Sequence, residues 1–374
     1  MSELSYMERL LAGVEVEWKE LGTLTKVLRG KRLVKSQLSN NEKFPVYHGG
    51  LDPLGYYKSS NRPANTVMII NVGASAGTVG YSATDFWSSD GCFCIEHTIL
   101  LNNRYLYYVL IGCQHLLRSK VRRAGIPTLD AIIIEKTQIP IPPLNIQAEI
   151  VRILNTFTEL TAELTAELTA RKQQYDYYRK QLFIFNESQI ELKLLGDVTV
   201  YEQPTKYRVD SKDYDDNFLT PVLTAGKTFI LGYTNEVEGI YEASKTPVII
   251  FDDFTTANKW VDFDFKVKSS AMKMVTSLDE SVVMQKFIYY WLNTLPSELV
   301  DGDHKRHWIS NFAKKEIPVP PLAEQQRIVT ILDKFDALTT SLTEGLPREI
   351  ELRQQQYEYY RELLLNFPKV EGNA

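Results

Sequence analysis

The chain has 374 residues, 44% of them hydrophobic and 24% charged, so it has the composition of a globular protein and the length of two or three domains. Its net charge of -5 argues weakly against a free-standing nucleic-acid binder, and no run of about 18 apolar residues indicates a membrane span. The N-terminus lacks a secretion signal, and Cys92, Cys94 and Cys113 fit neither a disulfide framework nor a zinc site, so we expect a cytoplasmic protein with reduced thiols.

Residues 1–138 are predicted to hold an N-terminal helix and a mixed α+β domain, because short β-rich runs such as TVMIINV alternate with loops. Residues 18–138 carry 15 Lys and Arg against 8 Asp and Glu. Most of these cations fall in the runs KVLRGKRLVK, residues 26–35, and RSKVRR, residues 118–123. Such runs are usually solvated surface, but they also supply the charge that neutralises phosphates, so DNA contact is the functional interpretation that we favour.

A loop rich in glycine and aromatic residues, HGGLDPLGYY at residues 48–57, could approach base edges closely. Its histidine also fits a purely structural role. The candidate DNA-binding residues of the first segment are Lys26, Arg29, Lys31, Arg32, Lys35, His48, Tyr57, Lys58, Arg118, Lys120, Arg122 and Arg123.

The glycine-containing stretch NVGASAGTVGYS, residues 71–82, follows a strand-like run. A phosphate-binding loop would continue with G-K-[ST] and a helix, and neither follows here. We therefore predict a loop between two strands, with no cofactor and no metal site.

Residues 139–191 are predicted to form a proline-led helix. Apolar residues recur there in steps of three and four, which indicates one buried stripe along a long helix. Its middle repeats the unit TAEL, so that leucines fall at every fourth position and glutamates form a solvated stripe beside them. A helix of this kind needs a partner to cover its apolar stripe. The spacing of the TAEL repeat by itself indicates no more than a solvated coiled coil.

Residues 192–316 are predicted to form a second mixed α+β domain, which is acidic, with 15 Lys and Arg against 19 Asp and Glu. Its candidate DNA-binding residues are Lys227, Lys259, Lys305 and Arg306. Asp252, Asp264 and Lys266 have the residue types of a metal-dependent nuclease, in which carboxylates hold Mg²⁺ and a lysine orients water. An exposed polar strand explains the same pattern.

Residues 317–374 are predicted to repeat the helical segment and to end in a C-terminal tail. IPIPPLNIQAEIVRILNTF, residues 139–157, recurs as IPVPPLAEQQRIVTILDKF, residues 317–335, with 11 of 19 positions identical. RKQQYDYYRKQL, residues 171–182, recurs as RQQQYEYYRELL, residues 353–364, after four additional residues. Gly345 and Pro347 lie within this second copy, where proline is expected to kink or restart the helix.

The predicted spacer and partner-binding positions of the two copies share an apolar or aromatic side chain on the helical stripe. They are Ile150, Leu154, Phe157, Leu160, Leu164, Leu168, Tyr175, Tyr178, Ile328, Leu332, Phe335, Leu338, Leu342, Tyr357 and Tyr360.

With its duplicated I-P-[IV]-P-P-L-x-x-Q-x-x-I-V-x-I-L motif, TAEL units and R-x-Q-Q-Y-x-Y-Y-R ending, the chain resembles the specificity subunits of type I restriction–modification systems over essentially its whole length. The resemblance implies two target-recognition domains, at residues 1–138 and 192–316, and two spacer helices, at residues 139–191 and 317–374, packed as an antiparallel coiled coil with pseudo-twofold symmetry.

In that family each recognition domain reads one half of a bipartite double-stranded DNA sequence. Two methyltransferase subunits hold the spacer and the domains, and restriction or motor subunits join them. Catalysis and cofactors belong to those partners, so the resemblance implies a non-catalytic chain. The alternatives from the residues alone are the nuclease and a purely structural coiled-coil scaffold.

Overall fold

The computed structural model describes residues 14, 16–186, 190–224, 228–296, 306–341 and 343–367. The predicted N-terminal helix falls mainly on residues outside these ranges. The chain divides into two compact units, of which the first combines residues up to Leu164 with residues from Glu349 onward, and the second is Thr165–Arg348. The prediction of four consecutive segments stays a prediction.

The first unit is a mixed α+β structure with a helical attachment. Its strands are β1 (Glu17–Glu20), β2 (Val27–Arg29), β3 (Phe44–Tyr47), β4 (Gly55–Tyr57), β5 (Thr66–Ile70), β6 (Val79–Ser82), β7 (Trp87–Ser88), β8 (Cys92–Ile95) and β9 (Gln138–Ile141). Its short helices are α1 (Leu21–Leu24), α2 (Asn103–Gly112), α3 (Gln114–Ser119) and α4 (Ala131–Glu135). The sheets have the orders β2-β8-β5-β6 and β4-β3-β7, and β1 pairs antiparallel with β9.

The central strand β5 shows why these residues form a sheet. All five of its side chains are buried, and most are β-branched, which favours an extended backbone packed on both faces. Since strand side chains alternate, Val67 and Ile69 pack in the cluster that contains α2, whereas Met68 and Ile70 pack against Phe86 on the other face.

The second unit repeats this plan. Its strands are β10 (Glu191–Leu194), β11 (Thr199–Glu202), β12 (Thr220–Leu223), β13 (Ile230–Thr234), β14 (Val248–Asp252), β15 (Asn258–Val261), β16 (Lys266–Val267), β17 (Met272–Ser277) and β18 (Glu316–Val319). The sheets have the orders β11-β17-β14-β15 and β13-β12-β16, and β10 pairs antiparallel with β18 as β1 does with β9. Its short helices are α6 (Leu195–Val198), α7 (Gln285–Leu292) and α8 (His307–Ser310).

Three long helices carry the repeated segments. They are α5 (Leu144–Gln181), α9 (Leu322–Thr340) and α10 (Gly345–Leu365), and α5 is a continuous helix of 38 residues. At about 1.5 Å per residue α5 is roughly 57 Å long. It contributes residues to both compact units, as does α10.

In each unit the beginning of one copy packs on the end of the other. In the first unit Phe157 of α5 stacks on Tyr360 of α10, with ring centroids 5.1 Å apart. In the second unit Phe335 of α9 stacks on Tyr178 of α5 at 5.7 Å. These are the same two positions of the repeat with the copies exchanged, so the two copies pack antiparallel within each unit, as predicted.

The second copy is interrupted where the sequence indicated a kink or restart. Helix α9 ends at Thr340 and α10 begins at Gly345, which has φ of +80°. A side chain on Gly345 would collide with the carbonyl oxygens of Ala337 and Leu338. Pro347 falls in the first turn of α10, where a missing N–H breaks no helical hydrogen bond.

Candidate DNA interface and spacer helices

The predicted stripe of the long helices is the side that they bury. Ile150 and Leu154 on α5, and Ile328 and Leu332 on α9, are fully buried. The other predicted stripe residues within the described part of the chain are half-buried, except for Tyr178 and Tyr360, which lie nearer the surface. Leu342 lies outside the described residues.

The TAEL segment lies within α5 and presents two different faces. Leu160, Leu164 and Leu168 are half-buried, whereas Glu159, Glu163 and Glu167 are exposed. Glu167 accepts a hydrogen bond from Arg171, four residues further along, at 3.4 Å. The segment therefore has the solvated acidic stripe that was predicted from the repeat.

A buried glutamine in each copy fastens the start of the long helix to its α+β domain. Gln147 donates from Nε2 to the carbonyl oxygens of Leu100 and Pro142, at 3.1 and 2.8 Å, and its Oε1 accepts from the N–H of Asn102 at 2.8 Å. Its side chain has no exposed area.

Gln325 makes the same three contacts in the second unit. Its Nε2 donates to Val282 O and Pro320 O, at 2.9 and 2.8 Å, and its Oε1 accepts from Met284 N at 2.8 Å. Gln147 and Gln325 stand among the identities of the repeat, yet only the structure shows that both are clamps.

A second contact between helix and domain was missed by sequence reasoning. Arg104 Nε donates to Asn155 Oδ1 at 3.1 Å in the first unit, and Lys286 Nζ lies 2.9 Å from Asp333 Oδ1 in the second. The available signal was the faint likeness of RYLYYVL, residues 104–110, to KFIYYWL, residues 286–292.

The first basic run lies against an aromatic pair. The backbone N–H of Lys31 donates to Ser88 O at 2.9 Å, and Trp87 Nε1 donates to Lys31 O at 2.7 Å. The Trp87 ring meets that of Tyr57 edge-on, with centroids 5.1 Å apart. The structure thus brings the first run, Tyr57 and the adjacent Lys58 together, and the cations Lys26, Arg29, Lys31, Arg32, Lys35 and Lys58 are all exposed.

Residues 71–78 of the glycine-containing stretch form a loop between β5 and β6, as predicted, and residues 79–82 form β6 itself. The second basic run is attached to this loop. Arg118 Nη2 donates to Thr78 Oγ1 at 2.7 Å. Arg122 exchanges backbone hydrogen bonds with Thr128, which forms a bridge to Val72 at the start of the loop. The cations Arg118, Lys120, Arg122 and Arg123 are exposed.

His48 lies between these two basic regions and holds a turn. Its Nδ1 accepts a hydrogen bond from Gly91 N at 3.2 Å and lies 3.3 Å from Asp90 Oδ1. A side chain on Gly91 would collide with both His48 and Val72, so the loop is packed directly against this turn. These contacts gather most of the predicted DNA-binding residues of the first unit around one set of neighbouring loops.

The second unit gives a weaker candidate surface. Lys259 is exposed on β15, with its Nζ 5.7 Å from the Phe229 ring centroid, and Arg306 is exposed just before α8. Lys227 and Lys305 lie outside the described residues. The DNA-contact roles of all these residues stay predictions.

The three residues of the nuclease alternative have structural roles. Asp252 accepts from the N–H groups of the turn that follows it, and Asp264 Oδ1 accepts from Ser244, which holds the pKa of Asp264 below its usual value. Lys266 is buried in a different sheet from Asp252 and pairs with Glu236 at 2.7 Å. Among the described residues no cluster of His, Cys, Asp and Glu could hold a metal.

Within the same ranges, no helix is long and apolar enough to cross a membrane.

Residues 13–171 and 187–352 match the family model of the type I restriction modification DNA specificity domain. The chain belongs to this family. It is the DNA target-specificity subunit of a type I restriction–modification system and is not itself an enzyme, so both the nuclease and the purely structural scaffold were wrong alternatives.

Similar proteins support this assignment of the specificity subunit. A type I restriction enzyme specificity subunit of Escherichia coli is 63% identical over 190 residues, which are 49% of this chain and 46% of that protein, so this match spans less than half of either chain. A Haemophilus influenzae protein whose name also describes such a subunit is 34% identical over 387 residues, covering 97% of this chain and 98% of its own.

Solved structures show the same fold for the specificity subunit. The S subunit of the type I system of M. genitalium superimposes with a TM-score of 0.68 at 16% identity, over 96% of this chain and 98% of that one. A chain from a study of type I system assembly and conformational transition gives 0.54 at 14% identity, over 94% and 98%.

Proposed function

We propose that this specificity subunit, acting in the cytoplasm, reads a bipartite sequence in double-stranded DNA, one half with the α+β domain of each unit. The observation that carries the proposal is the duplicated set of contacts: each domain is fastened to its long helix by the same glutamine clamp. Because the two attachments are equivalent, the two domains are equivalent DNA-recognition domains. Proteins with twofold or pseudo-twofold symmetry match the two halves of a DNA site in this way.

The basic surface of the first unit supports phosphate contact by that domain. Its exposed cations surround loops that carry Tyr57, His48 and glycine, and small or flat groups let a backbone approach base edges. For the second, acidic domain we propose Lys227, Lys259, Lys305 and Arg306 as the corresponding contacts.

The long helices then act as a spacer between the half-sites. Adding one TAEL unit lengthens a helix by about 6 Å, which is roughly two base pairs of about 3.4 Å each. Because antiparallel helices share a change in length, we expect a shift of one or two base pairs in the unread gap.

Domain exchange tests the proposal. Replacing residues 18–138 by the corresponding segment of another family member is expected to change one half-site and leave the other half-site and the gap unaltered. The measurement is base-resolution mapping of DNA methylation in cells that carry the parent gene, the exchanged gene or neither. A change in both half-sites, or in none, would contradict one domain per half-site.

We also propose that two methyltransferase subunits dock on the two repeated tyrosine pairs, and that restriction subunits join this core. Tyr177 and Tyr178 on α5 meet edge-on at 5.5 Å, and Tyr359 and Tyr360 on α10 do so at 5.4 Å. Tyr177 is 60% exposed and Tyr359 is 46% exposed. Exposed tyrosines are common anchors of protein interfaces, and the repeat supplies two equivalent sets.

Single Tyr177→Ala and Tyr359→Ala variants are each expected to lose one methyltransferase subunit, with affinity at that position falling by about thirtyfold, as for an interface anchor. The double variant should retain none. Native mass spectrometry of the co-expressed complex counts the subunits. Glu163→Ala, an exposed change on the same helix, is the control, and full binding by the double variant would place the docking surface elsewhere.

A further inference from the structure

The side chain of Arg104 joins the first α+β domain to α5 through an aromatic cage. Its Cζ lies 4.7, 4.8 and 5.0 Å from the ring centroids of Tyr81, Tyr107 and Tyr108. Its Nε donates to Asn155 Oδ1, and the Tyr108 hydroxyl donates to the same oxygen at 2.6 Å. Because Tyr81 belongs to β6 and Asn155 to α5, the cage holds a sheet of the domain to the long helix.

Lys286 makes the corresponding joint in the second unit. Its Nζ lies 5.2 Å from the Trp260 ring centroid and 2.9 Å from Asp333 Oδ1 on α9. The Tyr290 hydroxyl donates to the same Asp333 oxygen, and burial together with this carboxylate raises the pKa of Tyr290. The first unit thus uses an arginine and an asparagine where the second uses a lysine and an aspartate, and both pairs join the domain to its long helix.

Each joint adds a second point of attachment to the glutamine clamp. Asn155 is eight residues beyond Gln147, and Asp333 is eight residues beyond Gln325. That spacing corresponds to about 12 Å along a helix. A domain held at one point can swing about it, whereas two points about 12 Å apart fix its angle to the helix.

We propose that these two joints fix the angle between each recognition domain and its long helix, and thereby determine how strictly the complex discriminates the length of the gap between half-sites. Arg104, Asn155, Lys286 and Asp333 are then positioning residues that touch no DNA. The inference rests on the proposed bipartite recognition. A stiff joint must be deformed when the complex binds a site with an altered gap, which lowers the affinity. A loosened joint adjusts to the altered gap with little loss of binding free energy, as expected for preorganised binding.

The test uses the full complex with its methyltransferase subunits and duplexes that carry the methylated site found by mapping. Duplexes with the native gap are compared with duplexes one base pair longer or shorter. In Arg104→Met and Lys286→Met we expect the affinity ratio of native to altered gap to fall by about tenfold, a change of 1.4 kcal/mol. Discrimination against a base change within either half-site should stay as in the parent protein.

Conservative variants separate positioning from general stability. Arg104→Lys and Lys286→Arg should recover gap discrimination, and the near-isosteric Asp333→Asn should lose part of it. Arg327→Gln removes an exposed ion pair within α9 and is the control that should change nothing.

Two outcomes overturn the inference: an unchanged gap ratio in the methionine variants, or an equal loss of gap and half-site discrimination. If a methionine variant fails to fold, Asn155→Ala replaces it in the first unit and Asp333→Asn in the second; the gap ratio should fall in both, and by less in Asp333→Asn. Failure of the proposed function is distinguishable, since the parent complex would then show no half-site preference at all.

Discussion

Deleting one TAEL unit, residues 164–167, is expected to shorten the unread gap by one or two base pairs and to leave both half-sites unchanged. The deletion keeps α5 helical, because four residues are close to one turn of about 3.6 residues. It also keeps the half-buried leucine stripe continuous, because Leu168 then follows Leu160 at the same spacing. We expect the whole set of methylated genomic sites to be replaced by a different set.

Base-resolution methylation mapping of cells that carry the deletion checks this result. Glu163→Gln is the matched control, since it changes the exposed face of the repeat without changing its length, and its methylated sites should be those of the parent. Altered half-sites with an unaltered gap would refute the spacer role of α5.

Replacing Gln325 by leucine is expected to lower the stability of the second unit strongly. The substitution removes a side chain with no exposed area and leaves the N–H of Met284 and two carbonyl oxygens without their partner. Each buried polar group left unsatisfied costs about 1–3 kcal/mol, so we expect a loss of about 3 kcal/mol or more.

Thermal unfolding of the purified complex measures the loss, and hydrogen exchange at the Met284 amide localises it. Gln326→Leu is the control, because Gln326 is the adjacent residue, is exposed, and has a side chain that donates to Thr330 within the same helix. Equal unfolding midpoints for the two variants would show that the clamp contributes nothing to stability.

The long helices could be predicted from the sequence because their signal is local and repeated. A stripe with helical spacing in residues 139–157 identifies Ile150 and Leu154 as buried, and the duplicate predicts the same for Ile328 and Leu332. The run TVMII likewise predicts a buried strand from its composition alone.

The contacts between helix and domain could not be predicted, because they join residues far apart in sequence. Arg104 meets Asn155 across 51 positions, and Gln325 meets Val282 across 43. Only the helical side of each contact lies in the well-matched part of the repeat; the other side lies in segments whose likeness is faint.

The nuclease alternative failed for a related physical reason. The spacing of Asp264 and Lys266 places them close in sequence, but spacing does not show which neighbours each side chain will find. Asp264 meets Ser244 at the surface, and Lys266 meets Glu236 in the interior. Their charges are therefore neutralised or solvated separately and do not converge on a metal.

The interruption between α9 and α10 has a consequence for how new target spacings could arise. Helix α5 of the first copy is continuous, whereas the second copy is divided into two helices, α9 ending at Thr340 and α10 beginning at Gly345. We expect this division to let the second copy adjust when α5 is lengthened or shortened. A single in-frame insertion or deletion of a TAEL unit in α5 would then be enough to change the gap between half-sites, with no compensating mutation in the second copy.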